Sequence, residues 1–281
     1  MTQGILPFKY EEEKRGVGLT ALGGLPLYLD LIHAMGLRDS IEKHMKIGAN
    51  KKQGFTDSEV IISLMMLNLA GGESVEDMRI LEEDEGFRCI LEKMQNHGVP
   101  RSERRRLKTR WRKERKRVTP SPASIHRYLS EFANTYKSRM GESKIPETSS
   151  NLRDLILINK DIIAFIQKQC EKKIATLDMD ATLIETLKAE ALYCYKGFKA
   201  YQPFNVFWAE HKLLLYSEFR DGNVSAGFQQ DRVLKDALRL LPDSVETVRI
   251  RSDTAGYQHD FLAYCDDGKN SRFGRIEFAV G

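Results

Sequence analysis

The sequence predicts a mixed α/β protein in which the strands are confined to the second half and follow an all-α region. Apolar residues recur at helical spacing up to about residue 172, and short β-rich runs begin at Ile174. A dense basic segment lies before this change. The length of 281 residues suits about two domains. We therefore expect a helical region over residues 1–150 and an α/β domain over residues 151–281.

The first half contains short helical patterns separated by turn residues. Apolar residues over 19–45 predict one short helix. A second helix begins at Thr56 or Asp57, and a third begins at about Ser74, after a pair of glycines. Helix-turn-helix DNA-binding units share this outline with helical hairpins that only fill a core, and both interpretations stay open.

The segments that follow predict two more helices and a linker. One helix is capped near Ser121 or Ser124, after a proline-containing loop. The Gly, Pro, Ser and Thr content of Gly141–Asn151 predicts a linker. A longer helix then runs from about Leu152 to Lys172 and leads into the second half.

Positive charge is concentrated in Arg101–Arg117. This run holds eleven Lys and Arg against two Glu, whereas the whole chain has a net charge of only +4. The segregation indicates a polyanionic partner, because each phosphate that Lys or Arg neutralises releases a condensed counterion. A solvated charged helix or linker is the alternative. The expected DNA contacts are Arg104, Arg105, Arg106, Lys108, Arg110, Arg112, Lys113, Arg115, Lys116 and Arg117.

The composition argues against several classes of protein. Hydrophobic residues make up 41% of the chain, yet no run approaches the ~20 apolar residues of a membrane-spanning helix. The four cysteines lack the spacing of a zinc site. Gly222 and Gly227 lack the neighbours of a phosphate-binding loop. We expect a cytoplasmic protein without a membrane partner, a zinc site or nucleotide hydrolysis.

The second half predicts the element order βββαβαβ. In the first strand, the two-residue period places Thr176, Asp178 and Asp180 on one face. Asp253 ends the fourth strand, and sites gather at such strand ends in open α/β sheets. If the first and fourth strands are neighbours, Asp180 and Asp253 converge on a divalent ion such as Mg²⁺ or Mn²⁺. A turn or cap role is the alternative for each aspartate.

Four motifs occur in order in the second half: LDMDATLIET, YKGFKAYQPFNVFWAE, EFRDGNVSA and VRIRSDTAGY. Together they resemble the DDE transposases of bacterial insertion sequences, in the group-1 DDE domain branch. The resemblance runs from about Leu19 to the last residue. It implies an RNase H-like mixed sheet over 151–281, a helical region over 1–150 that binds the ends of the element, and metal-dependent DNA cleavage and strand transfer.

The resemblance also implies two catalytic aspartates that bind Mg²⁺ or Mn²⁺. The first falls on Asp180, with Asp178 as the less favoured alternative. The second falls on Asp253, and Tyr257 completes its motif. The implied partners are the terminal inverted repeats of the element, the target DNA and a second copy of the chain in a synaptic homodimer. The implied location is the bacterial nucleoid.

The third family carboxylate, a glutamate on a helix beyond the fifth strand, has no counterpart before Gly281. Glu277, on the fifth strand, is a weak alternative. We therefore expect a C-terminally truncated transposase that is weak or inactive in strand transfer. Its sheet should leave an apolar face and a strand edge exposed. A catalytically dead DNA-binding remnant or an inhibitory subunit is the alternative function.

Overall fold

The computed structural model describes residues 18–48, 53–109, 117–133 and 144–281. The chain divides into two compact units, each considered by itself below. The first unit comprises Met1–Ala133 and Ser150–Ile158, and the second comprises Asn134–Ser149 and Asn159–Gly281. No helix in the described part of the chain is both long and apolar enough to cross a membrane.

The first unit is helical throughout its described residues. The helices are α1 (Leu25–Ala34), α2 (Leu37–His44), α3 (Asp57–Leu69), α4 (Arg79–Glu83), α5 (Glu85–Asn96), α6 (Arg101–Thr109), α7 (Pro122–Leu129) and the first residues of α8 (Ser150–Gln169). Two short 3₁₀ turns lie at Val75–Met78, directly before α4, and at Ser130–Phe132, directly after α7.

Helix caps explain where the sequence prediction succeeds in this unit. Thr56 caps α3 and forms a reciprocal capping box with Glu59, as predicted. Ser121 caps α7, one of the two residues expected there. Residues 144–149 form neither helix nor strand, and α8 begins at Ser150, close to the predicted start. The first residues of the predicted linker, 141–143, lie outside the described residues.

Two helix predictions are wrong in number. The single helix expected over 19–45 is two helices, because Gly36 takes a left-handed conformation with φ of 64° between α1 and α2. The helix expected from about Ser74 is a 3₁₀ turn followed by α4 and α5. Asp84 lies between α4 and α5, and its side chain accepts a hydrogen bond from the Phe87 amide to begin α5.

The second unit is built on a five-stranded mixed sheet. The strands of the unit are β1 (Ile174–Ala181), β2 (Ile184–Glu185), β3 (Ala200–Tyr201), β4 (Phe204–Trp208), β5 (Leu213–Glu218), β6 (Thr247–Ser252) and β7 (Glu277–Val280). The main sheet has the order β5-β4-β1-β6-β7, and β2 and β3 form a separate ribbon. Strand β1 is antiparallel to β4 and parallel to β6.

The predicted order βββαβαβ is confirmed by the main strands together with α9 (Gln230–Leu238) and α10 (His259–Asp266). The mixed sheet after a helical region is the RNase H-like arrangement expected from the sequence. The β2–β3 ribbon was not predicted, because strands of two residues are too short to show an alternating pattern.

One face of the sheet forms the core of the second unit. Ala175, Leu177 and Met179 of β1 are buried, and Val206 and Ile250 of the flanking strands are buried beside them. Helix α9 lies against β5, and α10 lies against α9 and β7. Buried residues of both helices complete this core: Val233, Leu234, Phe261 and Cys265.

The opposite face, here called the open face, is largely polar. It carries Thr176, Asp178, Arg249, Arg251 and Glu277, of which none is buried. The expectation of a mainly apolar exposed face is therefore wrong for the described residues, because ion pairs occupy most of it. Its apolar members include Phe207 and Leu214, which are 38% and 44% exposed, and Ala279, the partner of Arg251 in the parallel pair of β6 and β7. The expected exposed edge is present at β7, where Glu277, Phe278 and Ala279 are all exposed.

Candidate active site

Strand register brings Asp180 and Asp253 together. In the parallel pair of β1 and β6, Asp178 lies beside Arg251 and the last pair is Met179 with Ser252. Asp180 and Asp253 are the next residues on the two chains. Side chains of paired residues on parallel strands lie on the same face of the sheet, and side chains two residues apart on a strand share a face. Asp180 and Asp253 each follow a member of the Asp178–Arg251 pair by two residues, so both carboxylates lie on the open face at the carboxyl ends of the strands.

The Asp180 side chain is exposed and forms no hydrogen bond or ion pair with any residue that the structure describes. Its neighbour across the antiparallel pair is Asn205 on β4. The Asn205 side-chain oxygen accepts a hydrogen bond of 2.7 Å from Ser217 on β5. The carboxylate of Asp180 is thus available to an external ligand.

Asp253 combines a cap role with exposure. Its backbone is extended, and its Oδ1 accepts a hydrogen bond of 3.1 Å from the Ala255 amide, which begins the 3₁₀ turn Thr254–Gly256. The cap interpretation considered from the sequence is therefore correct for this aspartate. The cap uses one carboxylate oxygen, and the exposed side chain still presents the other.

Asp178 is held by an arginine. Arg251 donates from Nε to Oδ1 at 2.5 Å and from Nη2 to Oδ2 at 2.7 Å, a bidentate arrangement. These hydrogen bonds raise the pKa of Arg251. Because both oxygens of Asp178 have a charged partner, this carboxylate is less available for a metal ion than Asp180.

Glu277 lies on the open face but away from the two aspartates. It is beside Arg249 in the parallel pair of β6 and β7, and Arg249 Nε contacts its Oε2 at 2.8 Å. Arg249 precedes Asp253 by four residues, a distance of about 13 Å along a strand. No cluster of three or more His, Cys, Asp or Glu side chains suited to a metal ion occurs among the described residues.

At the other end of β1, Thr176 is bound to a carboxylate. Its amide and hydroxyl donate to Glu210 at 2.8 and 2.6 Å. Burial raises the pKa of Glu210, but these hydrogen bonds outweigh it, and the pKa is lowered overall. Asp178 and Glu210 are thus engaged along this face, whereas Asp180 is not.

The sequence model of the family described as transposase DDE domain group 1 matches residues 9–274. This covers nearly the whole chain. The chain belongs to this family. Membership supports a function in DNA transposition, in agreement with the motifs and the mixed sheet.

Two solved structures are similar to this transposase at low sequence identity. The Mos1 mariner paired end complex with Mn is 11% identical with a TM-score of 0.27, covering 93% of this chain and 79% of that one. The Mos1 strand transfer complex is 13% identical with a TM-score of 0.23, covering 82% and 76%. No characterised protein matches the transposase significantly in sequence.

The basic run of the transposase is helical over Arg101–Thr109. Helix α6 displays Arg104, Arg105, Arg106 and Lys108, all exposed. Arg117 is also exposed, and its Nε donates to the Thr119 carbonyl at 3.3 Å. The predicted contacts Arg110, Arg112, Lys113, Arg115 and Lys116 lie outside the described residues.

The EFRDGN motif of the transposase serves the core rather than the site. Arg220 is fully buried, its Nε donates to Glu218 at 2.9 Å, and its guanidinium lies 4.6 Å from the Phe204 ring centroid. Burial lowers the pKa of Arg220. Arg232 also contacts Glu218. Sequence reasoning could not find this role, because the motif contains the same residue types that a catalytic site uses.

Sequence reasoning missed two residues beside the aspartates. Arg251 and Asn205 border Asp178 and Asp180 through strand pairing, so only the register reveals them. The Arg-x-Asp spacing of the VRIRSDTAGY motif was visible, and strand alternation could have placed Arg251 on the face of Asp253.

Proposed function

We propose that this transposase cleaves and joins DNA by metal-dependent phosphoryl transfer, with Asp180 and Asp253 as its catalytic carboxylates. The observation that carries the proposal is their placement side by side at the ends of two adjacent parallel strands, on one exposed face. The Asp178–Arg251 pair favours Asp180 over Asp178 as the first carboxylate.

The donor set fits Mg²⁺ or Mn²⁺. Both ions prefer carboxylate oxygens, and Asp180 and Asp253 each offer at least one oxygen without a protein partner among the described residues. When bound, such ions activate the attacking oxygen and stabilise the leaving oxygen in phosphodiester cleavage. Asp180 and Asp253 fix where the scissile phosphate lies, and the Asp178–Arg251 pair supports β1 and β6 beneath them.

DNA is the proposed partner of the first region, residues 1–150, through the exposed basic side chains of α6. The terminal inverted repeats of an insertion sequence and the target DNA are the proposed ligands, bound by a synaptic homodimer. A protein of this function works at the chromosome, so we place it at the bacterial nucleoid. Residues 151–281 form the proposed catalytic domain.

The engagement of Glu277 with Arg249 supports a second candidate function. Two carboxylates lie at the site and no third lies beside them in the described chain, so the alternative to cleavage and joining is a chain whose own strand transfer is weak or absent. The chain then acts as a DNA-binding remnant or an inhibitory subunit. Mn²⁺-supported cleavage of DNA distinguishes the two functions, because the remnant would bind DNA without cleaving it.

The test titrates Mn²⁺ into the full chain and follows the loss of the free-ion EPR signal. We expect the wild type to bind Mn²⁺, and Asp180→Asn and Asp253→Asn each to weaken binding about tenfold or more. Asp260→Asn, at an exposed aspartate on α10, is the matched control and should bind as the wild type does. Nicking of supercoiled DNA with Mn²⁺ is the second readout. Unchanged Mn²⁺ affinity in both site variants would refute the assignment.

A further inference from the structure

A compact loop with exposed tyrosines extends from the strand that carries Asp180. We call residues 186–199, between β2 and β3, the tyrosine lobe. Past the last β1–β4 pair, Ala181 with Phe204, the Thr182 amide donates to the Pro203 carbonyl at 3.1 Å. The chains then pair again as β2 and β3. The tyrosine lobe therefore continues the same two-chain ribbon beyond the end of the sheet at which Asp180 lies.

The tip of the tyrosine lobe is a tight turn. The Gly197 amide donates to the Cys194 carbonyl at 3.0 Å, and the Cys194 amide donates to the Phe198 carbonyl at 2.9 Å. Gly197 has a φ of 84°, a conformation that favours glycine. The central residues of this turn are Tyr195 and Lys196, and both are exposed.

The tyrosine lobe is anchored, so the exposure of its tyrosines does not come from a loose chain. Two of its own residues, Ala191 and Cys194, are buried. The Leu192 amide donates to Asp221 Oδ1 at 2.9 Å, and the Leu192 carbonyl accepts from the Ala200 amide at 3.1 Å. The Asp221 carboxylate also accepts from the Gly222 amide. Part of the EFRDGN motif thus holds the lobe in place.

The exposed side chains of the tyrosine lobe combine aromatic faces with positive charge. Tyr193 is 60% exposed and Tyr195 is 78% exposed. The ammonium group of Lys196 lies 5.7 Å from the Tyr195 ring centroid. The lobe contains three lysines and one glutamate. Trp208, an aromatic residue that follows the lobe in sequence, is fully buried in the core and does not belong to this exposed set.

We propose that the tyrosine lobe binds unpaired nucleotides next to the cleavage point, with bases stacked on Tyr193 and Tyr195 and a phosphate contacted by Lys196. This rests on the proposed function, because it is the scissile phosphate at Asp180 that brings DNA to the lobe. Aromatic rings bind bases of any sequence through their faces, and lysines between them neutralise the backbone. A DNA strand that has separated from its duplex exposes the faces of its bases and its phosphates together.

The test measures binding of the full chain to two fluorescent DNA probes in EDTA, so that cleavage does not intervene. One probe is a blunt duplex and the other is the same duplex with a short single-stranded overhang that carries 2-aminopurine. We expect tighter binding to the overhang and quenching of the 2-aminopurine by stacking. Tyr195→Ala should weaken overhang binding about fivefold or more and leave blunt-duplex binding unchanged.

Two controls sharpen this test. Tyr195→Phe keeps the ring and should bind the overhang as the wild type does, whereas Tyr28→Ala removes an exposed tyrosine on α1 and should have no effect. If Tyr195→Ala binds the overhang probe as tightly as the wild type does, the lobe proposal is overturned. Binding of both proteins to the blunt duplex would then leave the proposed function intact. Absence of binding to both probes overturns the two together.

Discussion

Two aspartates that are two residues apart on one strand have opposite environments. The Asp178 carboxylate is bound by Nε and Nη2 of Arg251, whereas the Asp180 carboxylate is exposed and without a partner in the described chain. The sequence predicts that they share a face, because that follows from the two-residue period of a strand. It does not predict which of them is paired, because the arginine comes from β6 through long-range register.

The buried Glu218–Arg220 ion pair, which Arg232 also joins from the protein surface, gives a stability prediction for a single residue. Glu218→Gln leaves the buried Arg220 without its counter-charge, so we expect the free energy of unfolding to fall by about 3 kcal/mol or more. Asp231→Asn is the matched control, because Asp231 pairs with Lys235 near the surface of α9. Removing that pair should cost about 0.5 kcal/mol or less. Urea unfolding of the three proteins measures both, and equal decreases would contradict the prediction.

Among the elements, α4 is tied to the segment that follows the basic run. Glu82 on α4 accepts hydrogen bonds from the amides of Val118 and Thr119 and from the Thr119 hydroxyl, the last at 2.7 Å. Thr119 is fully buried. Glu82 thus fixes the point at which the chain re-enters the helical unit after the basic run.

Glu82→Ala should therefore destabilise the first unit. It leaves two amides and a hydroxyl of a part-buried segment without their charged acceptor, so we expect the free energy of unfolding to fall by about 2 kcal/mol. Glu83→Ala, at the exposed neighbouring position on α4, is the control and should change little. Chemical denaturation followed by helix circular dichroism measures the difference. A decrease in Glu83→Ala as large as that in Glu82→Ala would argue against this role.

Helices and strands with strong local signals were predicted well, and those set by distant contacts were not. The α3 cap follows from the Thr56 capping pattern, and β1 follows from its alternation. The division of the 19–45 helix depends on the φ of Gly36, and glycine in a helical pattern does not by itself indicate a break. The β2–β3 ribbon depends on pairing between segments that are each too short to predict alone.

At the scale of the whole molecule, charge is distributed unevenly along the chain. The run that includes α6 holds eleven of the 44 Lys and Arg with only two Glu, and the paired aspartates lie in the second half of the chain. The fold class and the strand order were predictable because they depend on patterns that extend over many residues. The polar character of the open face was not, because it depends on which charges pair across strands.

The charge distribution predicts strongly salt-dependent DNA binding. Replacing Arg104, Arg105, Arg106 and Lys108 with Gln should weaken binding and reduce the slope of log affinity against log salt by about 0.9 for each phosphate that is no longer neutralised. Filter binding or fluorescence anisotropy at several salt concentrations measures the slope. The matched control removes four exposed basic side chains outside the run, namely Lys168, Arg239, Lys269 and Arg275. An equal reduction in both variants would show that the run has no special role.

The Asp178–Arg251 ion pair has a further consequence for how the sheet assembles. A slip of one residue between β1 and β6 would turn Arg251 and Asp253 to the apolar side and expose Ile250. The bidentate contact forms only in the native register of β1 and β6, so it stabilises that register over a slipped one. The same alignment sets Asp180 beside Asp253. The carboxylate pair therefore forms only when β1 and β6 pair in this register.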